Sequence, residues 1–292
     1  MDCAQIKSKF ADDSKVGRQI NNKSDCDALQ YAIGQLEKWA ADWLMQFNSS
    51  KCSVLHFGAN NPGYQYTMYG ELLKSSQMEK DVGIAIRGDL KPSSQVLKAA
   101  DSANKVLGLM SKSFHFRDKV TWISLYKLYV RPHMEYASQA WSPWCKKDID
   151  VLEKVQERML KMCSGLKGNT YEERLLEVGL DSLADRRVRA DMIQVWKVLN
   201  KKVRIDEKNF FTRLNVGNTR TTRATSSGVN LQIPRANLEL RKNFFSCRTP
   251  SLWNNIPENV KVAPSLTAFK TAYDSWMKET RHAHPSQSHI DR

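Results

Sequence analysis

From Val96 to Leu199 apolar residues return every three or four positions in run after run, so most of this chain has to build its core from packed helices. The first run is Val96, Leu97, Ala100, Ala103, Val106, Leu107 and Met110, and it starts just after Pro92, a residue suited to a first helical turn. Val120 to Tyr136 predicts a second helical stretch that Pro132 kinks or breaks, because proline has no N–H for the helical ladder. Ile149 to Cys163 predicts a third. Thr170 with Glu173 matches a capping box before a short helix, and Leu183 to Leu199 predicts another long one.

The amino-terminal part reads differently. Cys3 to Ile20 suits a strand, a tight acidic turn at Asp12-Asp13 and a returning strand, since Asp tolerates turn geometry. A helix comes next, capped by Ser24, with Leu29, Ile33, Leu36, Ala40, Trp43 and Leu44 on one face and Asn48-Ser49-Ser50 at its end. Lys51 to Phe57 reads as a strand stopped by Gly58, and weaker strands are expected around Tyr64–Met68 and Asp81–Ile86. Thr219–Ser227, rich in Thr, Ser and Arg, predicts an exposed linker. Apolar content returns from Phe244 to Met277 and fades after Thr280. The expected fold class is α+β and mostly helical, in three parts: residues 1–91, a helical 92–203, and a mixed 204–292 with a disordered tail.

The charge distribution narrows the partners. Residues 1–110 hold 13 Lys/Arg against 12 Asp/Glu, whereas residues 111–292 hold 32 against 19, so nearly all of the net +14 lies in the second stretch. That imbalance favours a polyanionic partner there; its bland alternative is a solubilising surface. Six dispersed cysteines (Cys3, Cys26, Cys52, Cys145, Cys163, Cys247) form no C-x-x-C pair, and the histidines miss zinc-finger spacing. A reducing compartment fits that usage, and no apolar run reaches the roughly 18 residues of a membrane span. The expected location is intracellular, cytoplasmic and/or nuclear, with no membrane partner.

Two adjacent carboxylates on a strand–turn–strand can hold magnesium, because hard divalent ions take oxygen ligands. In nucleotide transfer, two such ions activate a 3′ hydroxyl and stabilise the departing pyrophosphate. An Asp-Asp pair alone is more often a solvated loop, so the surroundings carry the weight. Ser8-Lys9-Phe10-Ala11-Asp12-Asp13-Ser14-Lys15-Val16-Gly17 is succeeded by Leu36-Glu37-Lys38-Trp39-Ala40, by Phe47-Asn48-Ser49-Ser50-Lys51-Cys52 running on to Gly58, and by Glu79-Lys80-Asp81-Val82-Gly83. Farther on come Leu128-Tyr129-Val130-Arg131-Pro132-His133-Met134-Glu135-Tyr136, Tyr171-Glu172-Glu173-Arg174-Leu175, Arg241-Lys242-Asn243-Phe244-Phe245 and Trp253-Asn254-Asn255-Ile256-Pro257. In this order the segments resemble the reverse transcriptases of non-LTR retrotransposons (LINE elements) of the jockey and chicken-repeat type.

The resemblance implies a partial polymerase palm over residues 1–91, a helical thumb and connection over 92–203, and a small mixed region beyond. It implies that Asp12, with Asp13 beside it, ligates catalytic Mg2+, and that Lys51 acts as a general acid toward the pyrophosphate. An ordinary surface lysine at a strand start is the alternative for Lys51. Asp81-Val82-Gly83 resembles the primer grip, and the helices after Pro92 resemble the thumb that holds an RNA–DNA duplex by its phosphates. Candidate contacts to nucleic acid are Lys146, Lys147, Lys154, Arg158, Lys161, Arg186, Arg187 and Arg189; Lys154, Arg158 and Lys161 share a helix face. A solvated face with ion pairs from Glu153 and Glu157 is the competing reading. Trp122, Trp141, Trp144, Trp196 and Trp253 could stack bases, although helical spacing favours core for Trp122 and Trp196, and Trp253 beside Pro257 suits a packing anchor.

Only nine residues precede Phe10, too few for the fingers or for the third metal aspartate that such a polymerase takes from an earlier strand. The expectation is therefore a reverse-transcriptase fragment that is catalytically inactive alone. A non-enzymatic module that binds RNA or RNA–DNA duplex is the alternative, and a helical scaffold that binds a protein partner through an exposed palm surface is a third reading.

Overall fold

The computed structural model describes residues 6–10, 12–214 and 229–283, with side chains described for 8–10, 12–214 and 229–280. The linker expected at Thr219–Ser227 and the polar tail beyond residue 283 lie outside these residues. The chain divides into two units, residues 1–91 and 92–292.

In the first unit β1 (Ile6–Phe10) and β2 (Asp13–Gly17) form an antiparallel hairpin in which Phe10 pairs with Asp13. Helix α1 (Lys23–Asp42) comes next, and it is Asn22, not Ser24, that caps it. Asn22 accepts from the Asp25 N–H at 3.1 Å, and the Asp25 carboxylate takes the N–H groups of Asn21 (2.9 Å) and Asn22 (3.3 Å), a reciprocal box that Ser24 could not close. The helix also stops earlier than its apolar period suggests. Leu44 turns left-handed (φ 54°) and the Met45 N–H returns to the Ala40 carbonyl at 2.8 Å, so the chain reverses there and leaves Leu44 95% exposed.

Lys51 lies in a tight 3₁₀ turn, Ser49–Lys51, capped by Asn48, and the strand expected from Lys51 starts only at Ser53. The remaining strands are β3 (Ser53–Leu55), β4 (Thr67–Met68), β5 (Glu71–Leu72), β6 (Lys74–Ser76), β7 (Met78–Asp81) and β8 (Ile84–Arg87). They pair two by two: β4 with β5 and β7 with β8 antiparallel, β3 with β6 parallel. The single strand expected over Asp81–Ile86 is interrupted by the β7–β8 turn, where Val82 (φ 44°) and Gly83 (φ 86°) both adopt positive φ. That backbone suits the twist of a two-residue hairpin turn, and Val82 is strained in it. Gln30 of α1 grips β4 by taking the N–H of Thr67 and donating to its carbonyl, both at 2.9 Å. Ile33, Tyr66 and Met68 form the buried centre.

The second unit is helical from its start. Helix α2 (Ser93–Ser113) buries Val96, Ala99, Ala103 and Leu107 and packs against α6 (Lys146–Met162). The stretch containing Pro132 splits into α3 (Lys119–Leu125), a wider turn over Tyr126–Val130, and α4 (Arg131–Glu135). The Arg131 N–H reaches five residues back to Tyr126, a local widening immediately ahead of the proline ring. Short α5 (Ser138–Trp141) precedes α6, and α7 (Tyr171–Val178) carries the reciprocal Thr170/Glu173 cap that the sequence indicates. Helix α8 (Leu183–Leu199) shares its core with the carboxy-terminal elements. Its Met192, Val195 and Trp196 join one cluster with Phe211, Leu231, Phe245, Trp253, Ile256, Val260, Phe269 and Tyr273, drawn from α10 (Phe245–Asn254), α11 (Glu258–Lys261), α12 (Leu266–Ala283) and the chain before and between them. A small α9 (Glu239–Lys242) precedes α10. Trp122, Trp196 and Trp253 are all fully buried, each worth several kcal/mol on the order of a large core side chain. They are core, not stacking platforms.

Candidate metal turn and basic helical face

Asp12 occupies the turn between β1 and β2, and Asp13 is the first residue of β2; both are exposed. The hairpin is anchored by charges on its flanks. Lys15 pairs with Asp81 at the end of β7, and the Lys9 ammonium sits 4.7 Å from the Trp39 ring centre. Behind it, Arg18 donates to Asp25 at 3.2 Å, joining the hairpin to the cap of α1. Backbone N–H bonds, first from Asn21, hold the Asp25 carboxyl below its ordinary range. The Lys15–Asp81 pair brings the acidic hairpin together with the Asp81-Val82-Gly83 turn, two segments far apart in sequence. Lys51 is exposed in its own turn, and among the described residues no hydrogen bond or ion pair joins it to Asp12 or Asp13.

Asp12 and Asp13 offer the hard oxygen donors that Mg2+ takes, so they fit it in kind. They fall short in number. Among the described residues no group of three or more His, Cys, Asp or Glu could hold a metal ion.

The eight basic candidates separate into two sets. Lys146, Lys147, Lys154, Arg158 and Lys161 are exposed along the outer side of α6, opposite the buried Leu152, Val155, Met159 and Leu160. Lys161 pairs with Glu157 at 2.6 Å, and Arg158 lies 3.4 Å from the Asn104 side chain of α2. Glu153 does not join that outer face. It accepts from the Tyr171 hydroxyl at 2.6 Å and from the Ala184 N–H at 2.8 Å, so the acid expected to neutralise the face is spent inside. At the start of α6, Asp148 offsets the cations beside the helix N-terminus and is held by Ser93 at 2.6 Å.

The three arginines of α8 are different. Arg187 is a correction: at 4% exposure it is a core side chain that cannot reach a solvent-borne phosphate. Arg186 forks onto Glu135 of α4, and Arg189 forks onto Asp274 of α12 at 2.6 and 2.7 Å. Their charges tie helices together. Sequence reasoning misses a further pair of this kind, in which Arg248 grips the buried Asp191 at 2.9 and 3.0 Å and also donates to the carbonyls of Gln139 and Asn243. Nothing local marks Glu135, Asp274, Asp191 or Gln139, which lie between 51 and 109 residues from the arginines they hold.

Comparison with known proteins places the chain. It is 26% identical over 167 residues to the RNA-directed DNA polymerase from mobile element jockey of Drosophila funebris, and 24% identical over 162 residues to that of Drosophila melanogaster. Each match covers 53% of this chain. Over that stretch the chain resembles a jockey-type reverse transcriptase. It spans 18% of the length of each of these relatives. No family model matches this chain, and no solved structure does. Among the described residues no helix is long and apolar enough to cross a membrane.

Proposed function

We propose that this chain is a portion of a retrotransposon RNA-directed DNA polymerase, with residues 1–91 as part of the palm and the helices after Pro92 as the thumb. The observation that carries the reading is the similarity to the two jockey polymerases across half of the chain. In this reading Asp12 and Asp13 contribute to a Mg2+ site, and Lys51 serves the departing pyrophosphate from the 3₁₀ turn before β3. The Lys15–Asp81 pair supports the palm reading, because it sets the acidic hairpin beside the segment that resembles a primer grip.

The substrate is an RNA template with its RNA–DNA duplex, engaged along the phosphates by the outer face of α6. Lys154, Arg158 and Lys161 are four and three residues apart there, with Lys146 and Lys147 at the same helix's start. Two carboxylates are fewer than a two-metal centre takes, so the reading expects no primer extension by these residues alone. The test is primer extension on an RNA template with Mg2+. No incorporation by the purified 292-residue chain is expected, together with measurable binding to RNA–DNA duplex. Robust incorporation that Asp12→Ala abolishes would overturn the inactivity and leave the polymerase assignment standing. Absence of any duplex binding would count against the thumb assignment.

A non-enzymatic nucleic-acid-binding module is the second reading. The exposed cations of α6 favour it, since they need no metal turn to act.

A further inference from the structure

The segment Trp253-Asn254-Asn255-Ile256-Pro257 is assigned no role by the polymerase reading, yet the side chains of Trp253 and Asn254 converge on one short stretch of backbone. Residues 229–232 run extended. The chain bridges Leu231 to Arg213 in antiparallel fashion, with the Leu214 N–H bonded to the Asn230 carbonyl at 2.9 Å and the Gln232 N–H to the Thr212 carbonyl at 2.8 Å. In such a pair the bonded groups belong to the residues on either side of the bridge. The N–H and C=O of Leu231 itself therefore point to the opposite edge, where a third strand would ordinarily satisfy them.

Asn254 takes the place of that strand. Its Oδ1 accepts from the Leu231 N–H at 2.9 Å, and its Nδ2 donates to the Leu231 carbonyl at 2.8 Å. Trp253 Nε1 donates to the Val229 carbonyl at 2.8 Å. Lys261, itself buried, donates to the Asn230 side-chain oxygen at 2.8 Å and to the Asn254 carbonyl at 3.0 Å, so it reads the segment and braces the reader together. The Leu231 side chain meanwhile is fully buried in the cluster that also holds Phe211 and Trp253. Main-chain polarity, one side-chain amide and one apolar anchor are all matched, as in recognition of a peptide by an added strand.

We propose that Trp253, Asn254 and Lys261 form a receptor for an extended peptide backbone, and that its ligand is this chain's own Val229-Asn230-Leu231. Asn254 is the positioning residue, because it alone contacts both polar groups of Leu231. The consequence is that Leu214 and Val229, which flank residues 215–228, are held at one place in the fold. The receptor is independent of the polymerase reading, since it uses no metal, nucleic acid or palm residue.

Amide hydrogen exchange on the full chain tests it, comparing Leu231 with Phe269 and Tyr273 of α12 as internal references. In Asn254→Ala the Leu231 amide should exchange about tenfold faster or more, the equivalent of one lost hydrogen bond, while the α12 amides keep their protection. Asn254→Asp keeps the acceptor but loses the donor to the Leu231 carbonyl, so it should also accelerate Leu231 exchange. Lys261→Met keeps the stem and should speed exchange at Leu231 less than Asn254→Ala does. Unchanged Leu231 exchange in Asn254→Ala would overturn the proposal. Equal acceleration at Leu231 and across α12 would overturn it too, because Asn254 would then be holding the whole unit and not the strand.

Discussion

Residues 1–91 gather their described centre around Ile33, Tyr66 and Met68, whereas residues 92–292 close an aromatic cluster that joins α8 to α10, α11 and α12. The first unit leaves Phe10, Trp43, Leu44 and Leu72 largely exposed, and its strands pair only two by two. Two-stranded pairs bury little on their own, and helices with a full apolar stripe bury much more. Charge divides along the same line. Residues 1–91 hold 11 Lys/Arg and 11 Asp/Glu, and residues 92–292 hold 34 and 20, so the whole net charge of +14 belongs to the better-packed unit. Net positive charge and the larger buried cluster thus lie in the same unit, apart from the acidic turn.

The largest effect that would test this contrast is expected from Trp253→Ala. Removing a fully buried indole from the second cluster should cost about 3–5 kcal/mol, read as an earlier urea transition for residues 92–292 only. A single transition moving for both units would break the contrast. Next comes Gly88→Ala, whose new methyl carbon would meet the His56 carbonyl oxygen at 2.4 Å, backbone that cannot swing away. We expect a cost of about 1–3 kcal/mol confined to the first unit. Val82→Asn acts in the opposite direction. It places an Asn-Gly pair where the β7–β8 turn needs two positive φ values, and should add about 0.5–1 kcal/mol to the first unit in the same titration.

A smaller effect links one helix start in each unit to pH. Backbone N–H groups, Asn21 for Asp25 and Thr121 for Asp118, hold both carboxyls below their ordinary value. A depressed folded-state pKa stabilises fully above the ordinary value of about 3.9 and is lost as pH falls through the lower folded value. Exchange of the first-turn amides of α1 and α3 should therefore rise on acidification below pH about 4, and Asp25→Asn should remove that dependence in α1 alone. Persistence of the acid effect in α1 of that variant would assign it to another group.

How far the sequence reveals this molecule depends on the range of the forces involved. The period of α8 and the Thr170/Glu173 cap are local and legible, and so is the burial of Trp122 and Trp196. Asn22 and Ser24 are both good caps, and only the return bonds of Asp25 choose between them. Leu44 fits the apolar stripe of α1, but a left-handed residue ends the helix before the stripe can use it. The α8 arginines are unreadable for a different reason. Arg186, Arg187 and Arg189 look like one basic patch, yet helical rotation sends them to Glu135, to the core and to Asp274, partners no local pattern could name. The face of α6 is legible, because its cations repeat with the helix; the inward turn of Glu153 is not.

If the outer face of α6 grips a nucleic-acid backbone while the arginines of α8 hold the fold, the salt dependence of binding must reveal it. The full chain and the triple variant Lys154→Ala, Arg158→Ala, Lys161→Ala would be titrated with an RNA–DNA duplex across a range of salt concentrations. Each lost phosphate contact should flatten the plot of log affinity against log salt by about 0.7–0.9, so the triple variant should lose a slope of roughly 2 with its thermal unfolding unchanged. An identical slope in the two proteins would contradict the assignment of α6 as the nucleic-acid face.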